Sequence, residues 1–146
     1  MISDRKHCTS GVPLAWGVIP IVGVTCLCDA IARRSGYCVC NEHLVFGWAS
    51  ALSQEFLGMA YIAASVLLLI VRWAYLLRSP MTRAGVVLIA GGGISNGIAR
   101  LMWGCVWDWI PVGSLWGNAA DVAIDLGIVA IVLGSMLGLR RDESVK

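Results

Sequence analysis

Charge is scarce in this chain. Only 14% of its 146 residues are Asp, Glu, Lys or Arg, whereas an ordinary soluble domain carries about 25%. A water-soluble globule is thereby excluded, and no hydrophilic block is long enough to fold by itself, so residues 1–146 are expected to form a single membrane domain. A net charge of +2 is too small to imply a nucleic-acid partner. Histidine is nearly missing as well: His7 and His43 are the two present, and His43 has no evident Ser or Cys partner. A histidine-activated nucleophile fits poorly. Neither an HExxH pair nor a paired-cysteine knuckle occurs, so no metal and no cofactor is expected. No small-x-small cleavage site ends the first apolar run, so Met1 to Pro13, with Arg5 and Lys6, reads as the lead into a retained span rather than as a signal peptide. No Gly-Lys-Ser/Thr follows Gly91 to Gly93, which lie inside a span and so do not read as a phosphate loop.

What is plentiful is apolar sequence, 58% of the chain. It gathers into four runs near the length of about 20 residues that a helix needs to cross a bilayer. Spans are predicted at 14–31, 56–77, 84–104 and 119–139. The fold class expected is an all-α integral membrane protein, a four-transmembrane-helix bundle with a small β-containing lobe at 32–55 on the outer face. In that lobe Tyr37 to Cys40 is β-prone, and an amphipathic run through Phe46 and Trp48 suits the lipid interface, as do Trp103, Trp107, Trp109 and Trp116 in the later outer loop. Gly93 with Gly97, and Gly134 with Gly138, have the small-xxx-small spacing of close helix contacts.

Basic residues collect on the cytoplasmic side of a membrane. With the N-terminus inside, Arg5, Lys6, Arg72, Arg78, Arg83, Arg140, Arg141 and Lys146 lie on the inner side, and only Arg33, Arg34 and Arg100 on the outer. Both termini are therefore expected in the cytoplasm. His7 then stands on the far side from the remaining polar chemistry, because Asp29, Asn41, Glu42, Glu55, Arg100, Asp108, Asn118, Asp121 and Asp125 all fall at the outer helix ends. The six cysteines read chiefly as apolar fillers and free thiols. Cys26 and Cys28 point to different helix faces, while Cys38 and Cys40 share one side of an extended segment, where a bridge is open to them in an oxidising space.

Two acids organise the second half. Asp108 precedes an Ile-Pro-Val-Gly turn, and Asp121 opens the fourth helix behind Asn118, a good N-cap residue. An ionisable group near hydrocarbon is a functional candidate by default. For Asp121 the helix dipole offers a plain structural alternative, and Asp125, one turn on, is a possible second polar contact. Two carboxyl groups facing each other away from bulk water do not both ionise easily, so the pair holds one proton between them. The ionised member then takes a proton from an attacking water while the protonated one polarises a peptide carbonyl.

These residues resemble the bacterial lipoprotein signal peptidases, or signal peptidase II. That family's pattern of Gly-Ala-x-Gly-Asn-x-x-Asp-Arg, then Val-Val-Asp-Phe, then Phe-Asn-x-Ala-Asp-x-x-Ile is similar to what stands around Asn96 and Arg100, in Val106-Trp107-Asp108-Trp109, and in Asn118-Ala119-Ala120-Asp121-Val122-Ala123-Ile124. An aspartate near the end of the family's first span matches Asp29, and its Asn-x-Gly-Ala-Ala-Phe segment is similar to Asn41 to Phe46. The resemblance implies catalytic Asp108 and Asp121, with Asp29, Asn41, Asn96, Arg100 and Asn118 as the polar shell that orients substrate. It also implies an intramembrane aspartyl endopeptidase of the bacterial inner membrane, monomeric and with its site toward the outer face, that meets its lipid-modified prolipoprotein substrate within the membrane lipid and cuts before the diacylglyceryl-modified Cys. The chain departs from the family in three places. Ala99 replaces the acid before Arg100, His43-Leu44-Val45 is bulkier than Gly-Ala-Ala, and the gap between the two acids is short. The first two departures motivate an alternative, a relative that binds lipidated precursors without cutting them. A small proton-coupled exporter fits less well, since its acid belongs near mid-membrane.

Overall fold

The computed structural model describes residues 15–42, 52–74 and 79–143. Four helices, each long and apolar enough to cross a membrane, are found among them: α1 (Ala15–Ser35), α2 (Gln54–Ala74), α3 (Pro80–Trp103) and α4 (Ala119–Glu143). A helix of 21 residues, such as α1 or α2, spans about 31 Å at 1.5 Å per residue, close to the hydrocarbon thickness of a bilayer. The expected all-α bundle is observed. The N-terminal lead with Arg5, Lys6 and His7, the run His43 to Trp48, and Arg78 and Lys146 lie outside the described residues.

Helix boundaries follow local chemistry that shifts three of the predicted spans. The first helix runs past residue 31 to Ser35, whose Oγ donates to the Ala32 carbonyl (2.7 Å), and Gly36, at φ 72°, ends it. The second begins at Gln54 rather than 56, because the Ser53 hydroxyl accepts from the Phe56 N–H (3.3 Å). The third begins at Pro80 rather than 84. Ser79, between the second and third predicted spans, is its N-cap and accepts from the Thr82 N–H (3.4 Å), with Pro80 in the first turn where its missing N–H costs nothing. Gly104, at φ 71°, closes that helix with its N–H on the Arg100 carbonyl (2.9 Å).

The third helix is the core. Of its span 61% is buried, against 22%, 17% and 22% for the other three, which turn side chains such as Ile19, Leu27, Phe56, Leu67, Leu126 and Met136 outward. That is the pattern of a bundle clothed by lipid, where apolar surface need not be hidden. Gly91, Gly92 and Gly93 show how one helix serves three neighbours. Successive residues advance 100° around an α-helix, so Gly91 faces Ile21 of α1, Gly92 faces the Ala120 carbonyl of α4, and Gly93 faces Ser65 of α2. The expected Gly93 and Gly97 pair does line one contact, with α2, and Gly134 meets Thr82 of α3. One backbone-to-backbone crossing was not anticipated: a Cβ on Gly85 would stand 2.5 Å from the Gly127 carbonyl oxygen. Backbone cannot yield as a side-chain tip can. Gly85→Leu is expected to destabilise the bundle by about 3 kcal/mol, seen as a lower Tm in detergent, whereas Gly23→Leu, where nothing lies within 4 Å, should leave Tm nearly unchanged.

Above one end of the bundle sits a lobe of four three-residue strands. Two antiparallel pairs form it: β1 (Val39–Asn41) with β2 (Val106–Asp108), and β3 (Ile110–Val112) with β4 (Leu115–Gly117). The lobe is therefore shared between two distant stretches rather than confined to 32–55. Among the described residues, three of its four strands come from the loop between α3 and α4, where Gly113 (φ 62°) turns the second hairpin. Cys40 and Cys105 are joined in a disulfide with Cα atoms 5.6 Å apart, which corrects the reading of the cysteines as free thiols. Cys26, Cys28 and Cys38 are free.

Candidate active site

The lobe and the helix ends bring Asp108 and Asp121 to a common neighbour. Asn118 is fully buried, at 0% exposure. Its Oδ1 accepts the backbone N–H groups of Ala120 (2.7 Å) and Asp121 (3.1 Å), capping α4. A backbone N–H can only donate, so the capping bonds fix which way the amide points and turn its Nδ2 to Asp108 Oδ1 (2.9 Å). The backbone N–H of the same residue reaches Asp121 Oδ2 (3.1 Å). One asparagine thus starts the helix and holds both acids.

Two further amides complete the arrangement. Asn41 and Asp108 lie on the same face of the β1 and β2 ladder, since Asn41 is opposite Val106 and Asp108 is two residues further along. Asn41 Nδ2 donates to Asp108 Oδ2 (2.7 Å). From α3, Asn96 Nδ2 donates to Asp121 Oδ1 (2.8 Å). All four carboxylate oxygens therefore receive a protein N–H, and each retains a second lone pair for water or substrate. Asp108 is only 2% exposed. Such donors offset the cost of burying a carboxylate, and the two acids stand near enough to interact electrostatically.

The other predicted shell residues lie around this cluster with different contacts. Asp29, buried in the last turns of α1, accepts from Trp109 Nε1 (3.1 Å). Trp109, read as an interfacial ring, has its indole N–H turned to that acid. Arg100 is buried near the end of α3 and donates through Nη1 to Gln54 Oε1 (2.5 Å), with its guanidinium 5.8 Å from the Tyr61 ring centre. Where the family motif leads one to expect an acid beside it, Arg100 is held by Gln54, whose Nε2 also donates to the Glu42 carbonyl (2.6 Å). Asp125 is exposed and joins none of the hydrogen bonds above. Gln54, Trp109 and the disulfide pair were missed from the sequence, and only Gln54, a polar residue at the mouth of an apolar run, left a local signal there. Among the described residues no group of His, Cys, Asp or Glu side chains has the arrangement of a metal site.

Residues 36–137 match the family Signal peptidase (SPase) II. The chain belongs to the signal peptidase II family. Among similar relatives, the lipoprotein signal peptidase of Rhodopseudomonas palustris (strain ATCC BAA-98 / CGA009) is 31% identical over 110 residues, covering 68% of this chain and 66% of that one. The lipoprotein signal peptidase of Brucella ovis is 32% identical over 108 residues, 70% of this chain and 68% of the relative, and that of Moorella thermoacetica 32% over 93 residues, 62% and 61%. The match spans 66%, just under two thirds, of the length of the first of these relatives. A solved bacterial membrane enzyme has the same fold, with a TM-score of 0.66 over 91% of this chain and 90% of that one at 16% identity. In this signal peptidase II member the family match begins at Gly36, so the lobe, three of the four spans and both central acids fall within it.

Proposed function

We propose that the protein is an intramembrane aspartyl endopeptidase that removes the signal peptide from diacylglyceryl-modified prolipoproteins, cutting just before the lipidated Cys. The observation that carries this reading is the double hold of Asn118 on Asp108 and Asp121. Acids spaced merely to cap helices or to face water have no reason to share a buried amide. With one proton between them, one carboxylate draws a proton from water as it adds to the scissile carbonyl, and the other donates a hydrogen bond to the carbonyl oxygen. The proton then passes to the leaving amine. Asn41, Asn96 and Asn118 keep the carboxylates oriented throughout, so the pair need not reorganise as charge moves.

Lipid-facing side chains on α1, α2 and α4 fit a substrate whose acyl chains remain in the bilayer while its peptide enters at the helix ends. The excess of basic residues on one side favours both termini in the cytoplasm and the site toward the outer face. A disulfide in the lobe supports that orientation independently, because such bonds persist in oxidising compartments. The test is to incubate the purified protein in detergent with a diacylglyceryl-modified precursor and with the same precursor carrying an unmodified Cys. Cleavage at the bond before the modified Cys alone is expected. Binding of the precursor without any cleavage would establish the non-catalytic alternative instead.

A further inference from the structure

The disulfide and the active-site contact occupy opposite faces of one very short ladder. Asn41 and Asp108 project to one face of β1 and β2; Cys40, opposite Trp107, and Cys105, two residues before Trp107, belong to the other. Three residue pairs make up the ladder, and Val39 and Cys40 of β1 are exposed. Strand register is set mainly by burying one face, and here the burial lies on the β2 side, at Val106 and Asp108, while β1 buries no apolar side chain on that face and offers it only the exposed Val39 and the half-buried Asn41. A slip of one residue would carry Asn41 to the wrong side of the strand and withdraw its Nδ2 from Asp108. The Cys40–Cys105 bond joins β1 to the buried residue that immediately precedes β2, and so forbids that slip.

We propose that Cys40 and Cys105 are positioning residues whose disulfide holds Asn41 on Asp108, so that turnover requires the oxidised lobe. This deepens the peptidase reading and rests on it. Forming the bond takes two electrons and two protons from the two thiols, and a disulfide-bearing oxidant accepts them and leaves as a dithiol. A dithiol reductant reverses the exchange and is itself oxidised to a disulfide. Cys40 is exposed to such reagents, whereas Cys105 is enclosed. Cys38, free and two residues away, is not needed by the clamp.

The experiment compares oxidised and dithiothreitol-reduced protein, with thiol content counted by mass after alkylation. In the lipidated-precursor assay, reduction is expected to lower kcat on the order of 10- to 100-fold, the scale of a misplaced active-site group, while KM changes little. Cys105→Ala should behave like the reduced protein, and Cys38→Ser like the unmodified one. Asn41→Ala should start from the lowered kcat and lose almost nothing more on reduction, because the clamp would have no cargo left. Reduced protein with undiminished kcat, or an Asn41→Ala protein as sensitive to reductant as the parent, would overturn the proposal. Hydrogen exchange supplies a readout that does not depend on cleavage. Reduction should selectively expose the backbone amides of 39–41 and leave α3 protected. Unchanged protection at 39–41 defeats the clamp even if the protein cuts, and selective loss in a protein that never cuts defeats only the peptidase reading.

Discussion

Asp108→Asn and Asp121→Asn are each expected to reduce cleavage of a lipidated precursor by about three orders of magnitude or more, with the protein still folded. The size follows from the chemistry proposed. General acid and base catalysis contributes on the order of 10²- to 10⁴-fold, and groups that act as a unit are lost together when either is removed. An amide keeps the shape of the carboxyl but neither accepts a proton from water nor shares one across the pair. Folding should survive because Asn118 keeps its capping bonds to α4 in both variants. The measurement is single-turnover cleavage beside a thermal melt. More than about a tenth of the parent rate in either variant, at an unchanged Tm, would remove the two-acid mechanism.

A change at Asn118 should be nearly as severe and should differ in kind. Asn118→Ala removes the acceptor for two α4 N–H groups and the donor to Asp108 at once. A lost cap costs about 1 kcal/mol, and leaving buried polar groups without partners adds about 1–3 kcal/mol, so both Tm and cleavage should fall. Asn118→Asp separates the two roles. Aspartate caps a helix as well as asparagine, but it turns an oxygen toward Asp108 Oδ1 where an N–H stood. Its Tm should drop less than that of the alanine variant, while cleavage is lost to a comparable extent. If Asn118→Asp cuts at the parent rate, the shared amide is a helix cap and nothing more.

Much of this arrangement is legible in the residues themselves. The four spans are announced by apolar length, and Asn118 by its place before Asp121 at the start of one of them. Asp108 and Asp121 stand out because acids at the mouths of apolar runs are rare. Asp125 shows the limit of reading by face alone. Four residues along a helix bring a side chain nearly back to the same side but also about 6 Å further down the axis, and there it is exposed rather than joined to the acids. The strands β2, β3 and β4 are three residues each, too short for alternation to register, and Pro111 in β3 and Gly117 in β4 weaken the signal further. The partner of Cys40 lies 65 residues away, and nothing in the intervening sequence favours it over another cysteine. Arg100 presented the opposite difficulty: its neighbour Ala99 suggested a missing acid, whereas one of its hydrogen bonds goes to Gln54 on another helix.

From the sequence alone it follows that the chain is built to cross a bilayer with four helices, and that Asp29, Asp108, Asp121 and the asparagines near them fall at the ends of the apolar runs. These conclusions rest on properties summed over many residues or confined to one turn, and such properties survive without knowledge of the fold. Only the tertiary structure decided that all four oxygens of Asp108 and Asp121 meet donors from β1, α3 and the α4 cap, that Arg100 pairs with Gln54, and that Cys40 closes on Cys105. Apart from the hold of Asn118 on Asp108 and Asp121, each of those is a contact between residues far apart in the chain. The Asn96 to Asp121 contact among them needs the close approach of α3 and α4 that Gly85, Gly92 and Gly127 permit, and no local pattern encodes which distant side chains such an approach brings together.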